Sequence, residues 1–359
     1  MIRLWCTQIL AIVRLEMKKT FLSRRGLWVY LLAFAPLLLF TARSVSIAHH
    51  RSELRRTARG HPISSEDLSA LRTGMTRDEV TQKLGEPFSQ RRWHSGGNRT
   101  ERAEFFHCRY TDGNAEVFLF FENGSLKNIH RNEFDTLPQV SRIFAGVFHS
   151  YYLRLAVFFG CVGIFVNLFR GEMLDKSLHF YLLTPVRREI LLAGKYAAGL
   201  LAAVVIFTSS TALQWLALLW QFDNAAIADF LGTTGWSQFS WYLAVTALAC
   251  VGYGSVFLAV GLLFRNPIVP TAVVLLWEGV NPFLPAALKK VSMIHYLQSL
   301  CPVDAARDEQ VPGLVHLLIS PVQPATHAVA ILSIVLLTCV VLAAAARLSR
   351  RMEINYSAE

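Results

Sequence analysis

Between two long uncharged runs, Leu155 to Phe169 and Tyr196 to Phe222, the chain carries a charged stretch, RGEMLDKSLHFYLLTPVRREILLAGK, from Arg170 to Lys195. Within it Glu172, Asp175, Lys176 and His179 share one helical face, while Leu174, Leu178, Tyr181 and Leu182 recur at helical spacing on the other. That pattern predicts an amphipathic helix lying on a membrane surface. Thr184-Pro185 breaks it: Thr184 suits an N-cap and Pro185 the first helical position, so a new helix opens there and runs through Arg187 and Arg188 into the next apolar run. A surface helix hinged to a membrane helix is a lever. The alternative is a loop whose Arg and Lys only snorkel to the interface.

Two further ionisable residues stand inside apolar sequence. Glu278 ends an uncharged stretch from Asn266 to Trp277, and Pro282 and Pro285 break the helix soon after it. An intramembrane carboxylate is a functional-site candidate. The competing reading is a structural carboxylate, paired with Lys289 or Lys290 or capping a neighbouring helix. Arg154 lies 16 residues before Arg170, roughly 24 Å along an α-helix, so each can snorkel to its own interface. A place on a transport pathway is the other reading for Arg154.

Other chemistries lack their residues. Glu189 stands where the first Gly of a GxxxxGK ending at Gly194-Lys195 would be, so this chain is not expected to hydrolyse ATP. HExxH, GxSxG and clustered His or Cys at ligand spacing are missing, so no metal or cofactor is expected on the chain. An intramembrane enzyme would rest on Glu278 alone. Cys108 and Cys301 lie outside the apolar runs, which leaves a bridge between them open.

The elements that position these residues are membrane helices. With 359 residues, 53% of them hydrophobic, and a mean hydropathy of +0.38, the chain is too apolar for an ordinary soluble protein and too long for a single anchor. Its net charge of +10 gathers beside apolar runs, where lipid and topology account for it, so no nucleic-acid partner is expected. Residues 2–19 read as an interfacial elbow helix, with a first span from Gly26 to about Ile47. Ser46-Ile47-Ala48 leaves a signal-peptide reading open. Further spans are expected at Ile143 or Phe148 to Phe169, Tyr196 to Trp220, Phe239 to Phe264, a short bent one from Asn266, and Ala325 to Ala346. Gly252, Gly254 and Gly261, with Ser255 and Ala259, should let the fourth helix approach its neighbours closely. Short basic loops place 170–195 and both termini in the cytoplasm. The expected fold is a polytopic α-helical membrane protein of six spans plus the elbow.

Residues 48–142 have no spanning run and form an inserted extracytoplasmic domain, so the chain divides as 1–47, 48–142 and 143–359. A short helix near Glu66 to Arg72 is expected, then a second opened by a Thr76/Glu79 capping box and stopped by Gly85 and Pro87. Four strands follow, near 88–94, 103–110, 115–121 and 125–131, with hairpin turns at Asp112-Gly113 and Asn123-Gly124. Through GMTRDEVTQKLGEP (Gly74 to Pro87) and VFLFFENGSLKNI (Val117 to Ile129), residues 61–131 resemble the BamE/SmpA/OmlA-like domain of bacterial envelope lipoproteins. The resemblance implies a small ααββββ fold; the lipidated cysteine of those lipoproteins has no counterpart here.

Residues 1–42 and 143–359 are similar to the permease subunits of ABC-2 type transporters. The resemblance is carried by the elbow, the span order, FRGEMLDKSLHFYLLTPVRREILLAGK (Phe169 to Lys195) and FLAVGLLFRNPIV (Phe257 to Val269). It implies a multi-pass exporter subunit of a bacterial inner membrane, working as a homodimer or with a related permease. A separate ATPase subunit, which holds ATP and Mg, would dock on Glu172, Asp175, Lys176, His179, Thr184, Pro185, Arg187 and Arg188. The inserted domain departs from the family pattern and leaves the substrate open. The alternative function is a membrane-anchored module that binds an envelope protein through the insert.

Overall fold

The computed structural model describes residues 2–22, 26–60, 63–94, 104–113, 115–174, 187–303 and 324–351. The chain divides into two compact units, residues 1–41 with 138–359, and residues 42–137.

Helix α1 spans Ile2–Leu22 in the first unit, and α2 spans Leu27–Gly60, passing from the first unit into the second after Thr41. The sequence marks a span end near Ile47, but α2 continues to Gly60. No glycine or proline interrupts it between Leu37 and Arg59, and RSELRRTAR is built of good helix formers, so polarity alone does not stop the helix. Among the described residues five helices are long and apolar enough to cross a membrane: Leu27–Arg59 within α2, α5 (Leu137–Gly171), α6 (Arg188–Leu219), α7 (Asn224–Leu263) and His327–Ser349. The last belongs to α10, His327–Arg351. The short apolar helix expected near Asn266 is α8, Ile268–Val280; a further short helix, α9, covers Met293–Ser299.

The helices interlock through side chains that repair backbone defects. Pro36, inside α2, cannot donate to the carbonyl of Leu32, four residues back. Tyr151 Oη donates to that carbonyl at 3.3 Å, and Ser210 Oγ reaches the next one, Ala33 O, at 2.6 Å. An unpaired carbonyl is costly in an apolar layer, so these two bonds tie α5 and α6 to the proline site. On α7 the small residues do the expected work. A Cβ added at Gly261 would stand 2.8 Å from the Cα of Val166, so the two helices meet backbone to backbone. Helix α5 is not uniformly α-helical: its turns widen to π geometry at Phe148–Val157 and Val162–Val166.

The second unit is an ααββββ layer. Helices α3 (Ser65–Ser69) and α4 (Arg77–Leu84) precede an antiparallel sheet in the order β1-β2-β3-β4, formed by Ser89–His94, Glu104–Thr111, Ala115–Glu122 and Ser125–Glu133. Thr76 and Glu79 complete the capping box in both directions. Asn123 and Gly124 take positive φ, +48° and +80°, the geometry of a tight hairpin turn. One sheet face packs Phe106, Cys108, Tyr110, Val117, Leu119, Phe121 and Leu126 against Leu68, Leu71, Val80 and Leu84. The other face is aromatic and charged: His107 stacks on Phe120 at 4.5 Å and on Phe118 at 5.3 Å, and Arg109 pairs with the buried Glu116. Cys108 and Cys301 are free thiols, so the open alternative of a bridge between them is not realised.

Candidate functional site

The charged stretch is framed by two helices whose ends are held from the side. Helix α5 runs on as Asn167–Leu174, which carries Glu172, and α6 begins at Arg188 with Arg187 at its N-cap. Asp175, Lys176, His179, Thr184 and Pro185 lie outside the described residues. Arg187 stacks over the indole of Trp5 on α1, 5.6 Å to the ring centre. Arg188 Nη1 donates to the carbonyl of Ser349 on α10 at 2.9 Å.

The strongest anchor is a residue that the sequence reading counted only as one of the loop's basic residues. Lys195, two turns into α6, is fully buried, and its Nζ donates to Glu16 Oε1 and to the carbonyl of Leu168, each at 2.8 Å. Its ammonium also lies 5.3 Å from the Phe169 ring centre. One cation therefore joins α1, the last turns of α5 and the first turns of α6. Buried ions need paired, hydrogen-bonded partners, and this geometry supplies them. The signal in the sequence was Glu16, the sole acid before Glu53. Beside it, a Cβ at Gly194 would stand 3.0 Å from Ile12, so α1 lies directly against α6.

A second polar cluster lies where α5, α7 and α8 meet. Glu278, 8% exposed, accepts from Ser292 Oγ at 2.8 Å and from the backbone N–H groups of Met293 and Ile294 at 3.1 and 2.9 Å. Those are the first N–H groups of α9, so the carboxylate caps that helix, which is one of the two structural roles the sequence left open. Tyr253 of α7 is its electrostatic neighbour. Arg154, on the π stretch of α5, acts electrostatically on that same tyrosine, and Phe158, one turn on, meets the Tyr253 ring edge-on at 5.4 Å. Arg154 and Glu278, 124 positions apart in sequence, thus both act electrostatically on one tyrosine.

No protein-family model matches the chain, and no curated protein matches it. Among the described residues no group of three or more His, Cys, Asp or Glu is placed to hold a metal ion.

Proposed function

We propose that this chain is the membrane subunit of an ABC-2 type transporter, an exporter driven by a separate ATPase that docks on the 170–195 stretch. The observation that carries the reading is the Glu16–Lys195–Leu168 junction. It fastens the base of the charged stretch to three helices, so a push on Glu172, Asp175 and their neighbours is delivered to the bundle instead of being lost in a loose loop. In this reading α8 (Ile268–Val280) is the short fifth of six spans, α1 is the elbow, and both termini and residues 170–195 face the cytoplasm of a bacterium, with the chain in its inner membrane. Two permease chains, identical or related, enclose the path. ATP and Mg belong to the partner ATPase.

The test is coupling. Purified with its ATPase, the chain should raise ATP hydrolysis. Reversing charge at Glu172 and Asp175 together should remove that stimulation while leaving the protein inserted. A double mutant that binds and stimulates the ATPase like the parent would place the docking surface elsewhere.

A second reading is supported by the complete core of residues 42–137. As a BamE-like domain it would recognise an envelope protein, with the helices as its anchor. Replacing residues 48–139 by a short linker separates the two: under the first reading ATPase stimulation survives and substrate handling changes, and under the second the partner is lost.

A further inference from the structure

The sheet of residues 42–137 has two edges, and they differ. At β4 the outer edge is occupied where the strand begins: the carbonyl of Leu126 accepts from Gly74 N–H and its own N–H donates to Met75 O, each at 2.8 Å, while Arg77 N–H reaches Gly124 O at 3.0 Å. The opposite edge is β1 (Ser89–His94), which among the described residues pairs only with β2. An edge strand keeps a row of backbone N–H and C=O groups on which a further strand can form.

The side chains of β1 state which strand would fit. Its sequence, SQRRWH, holds two arginines and no acid, and Gln90, Arg91, Arg92 and Trp93 are all exposed. The register sets Arg92 opposite Phe106, on the face packed by α3 and α4, where its guanidinium lies 5.5 Å over that ring and pairs with Glu104. Arg91 and Trp93 belong to the other face, opposite His107 and Phe105. The Trp93 indole stacks on Phe105 at 5.7 Å and is still 41% exposed.

Charged side chains on an edge strand also serve to prevent pairing, but that use does not call for an exposed indole two residues along the same face. They disfavour a second copy of this chain in particular. Antiparallel pairing of β1 with itself, centred on the strand, sets Arg91 against Arg92, and like charges directly opposite are destabilising. An acidic strand reverses that sign, and its side chain two residues on, if apolar, covers Trp93.

We propose that β1 is a docking edge for an extended acidic segment of a partner protein, which joins the sheet as a fifth strand with a carboxylate beside Arg91 and an apolar side chain over Trp93. The ladder supplies affinity, and Arg91 and Trp93 supply the choice of partner. This docking edge rests on the reading in which residues 42–137 recognise an envelope protein. The two can fail separately: a partner lost on replacing residues 48–139, with no acidic peptide bound by the intact chain, would keep that reading and overturn the edge.

The experiment uses the full chain in neutral detergent and a labelled peptide of Glu-Glu-Val-Val repeats, about eight residues long to match a strand, whose faces each show acid and apolar side chains in turn. Its Lys-Lys-Val-Val counterpart should bind at least about tenfold more weakly. A counterpart of the acidic peptide with N-methylated amides keeps the charge, loses the ladder donors and should not bind. Arg91→Glu should weaken binding of the acidic peptide about tenfold, and Trp93→Ser about threefold. Arg56→Gln, at an exposed position of α2, should change nothing. No binding of the acidic peptide would mean that the arginines only guard the edge, and equal binding of the N-methylated peptide would mean attraction of charge without a strand; either overturns the proposal. So would unchanged affinity in Arg91→Glu. If Trp93→Ser does not fold, Arg91→Glu, which alters an exposed side chain, still decides.

Discussion

Lys195 and Glu16 are 179 positions apart in sequence, yet their buried side chains meet at 2.8 Å. Lys195 closes the charged stretch on its α6 side, and the carbonyl it bonds, Leu168, lies two residues before the stretch on the α5 side. Helix α1 is thus fastened to both helices that flank the charged stretch.

Breaking that pair from one side should be severe. Glu16→Leu leaves a buried ammonium and Lys195→Met a buried carboxylate, and each should cost about 3–5 kcal/mol. The double mutant Glu16→Leu/Lys195→Met removes both charges and should recover much of the loss. Thermal unfolding of the purified protein checks this. Single mutants as stable as the parent would show that the pair does not hold α1.

Membrane topology gives the next expected outcome. Reporter fusions after residues 100 and 230 should read outside, and fusions after 180 and 355 inside. An inside reading at 100 would remove the basis for an extracytoplasmic insert.

What the sequence made legible were features written in local code. The Thr76/Glu79 capping box, the Asn123-Gly124 turn and the alternation of Val117, Leu119 and Phe121 each specify their own few residues, and the fold follows them. The close approach at Gly261 was legible too, because small residues in an apolar run have few other uses. The Glu16–Lys195 pair was not, because nothing local says which of many cations finds the single acid of the first helix. The same holds for the π turns around Arg154, which arise from packing and leave no mark in composition. The length of α2 was not legible for the opposite reason: a drop in hydrophobicity at Ile47 marks where apolar sequence stops, and the helix runs on to Gly60.

Glu278 should behave as a cap first. Glu278→Ala strands the hydroxyl of Ser292 and two N–H groups of α9 and should cost about 1–3 kcal/mol. Glu278→Gln keeps acceptor oxygen in place and should lose clearly less. Unfolding measurements on both variants test the cap. A glutamine variant as unstable as the alanine one would mean that the negative charge, not the acceptor, is what α9 requires.

The last expectation concerns acid sensitivity of residues 42–137. His107 is held below the ordinary histidine range, first by burial among Phe118 and Phe120 and then by the nearby Arg109 and Arg91; Glu116 pulls the other way but is already engaged by Arg109. The sign follows from proton binding: with the folded value lowered from 6.5, the unfolded chain takes up more protons as pH falls. Stability is therefore complete above about pH 6.5 and declines below it, until the folded imidazole is itself protonated. His107→Phe keeps a ring for the stack and removes the titration. Expressed alone, residues 42–137 should melt cooperatively, with a melting temperature that drops between pH 7.5 and 5.5, and His107→Phe should flatten that drop. Parallel pH slopes for parent and variant would leave His107 a packing residue only.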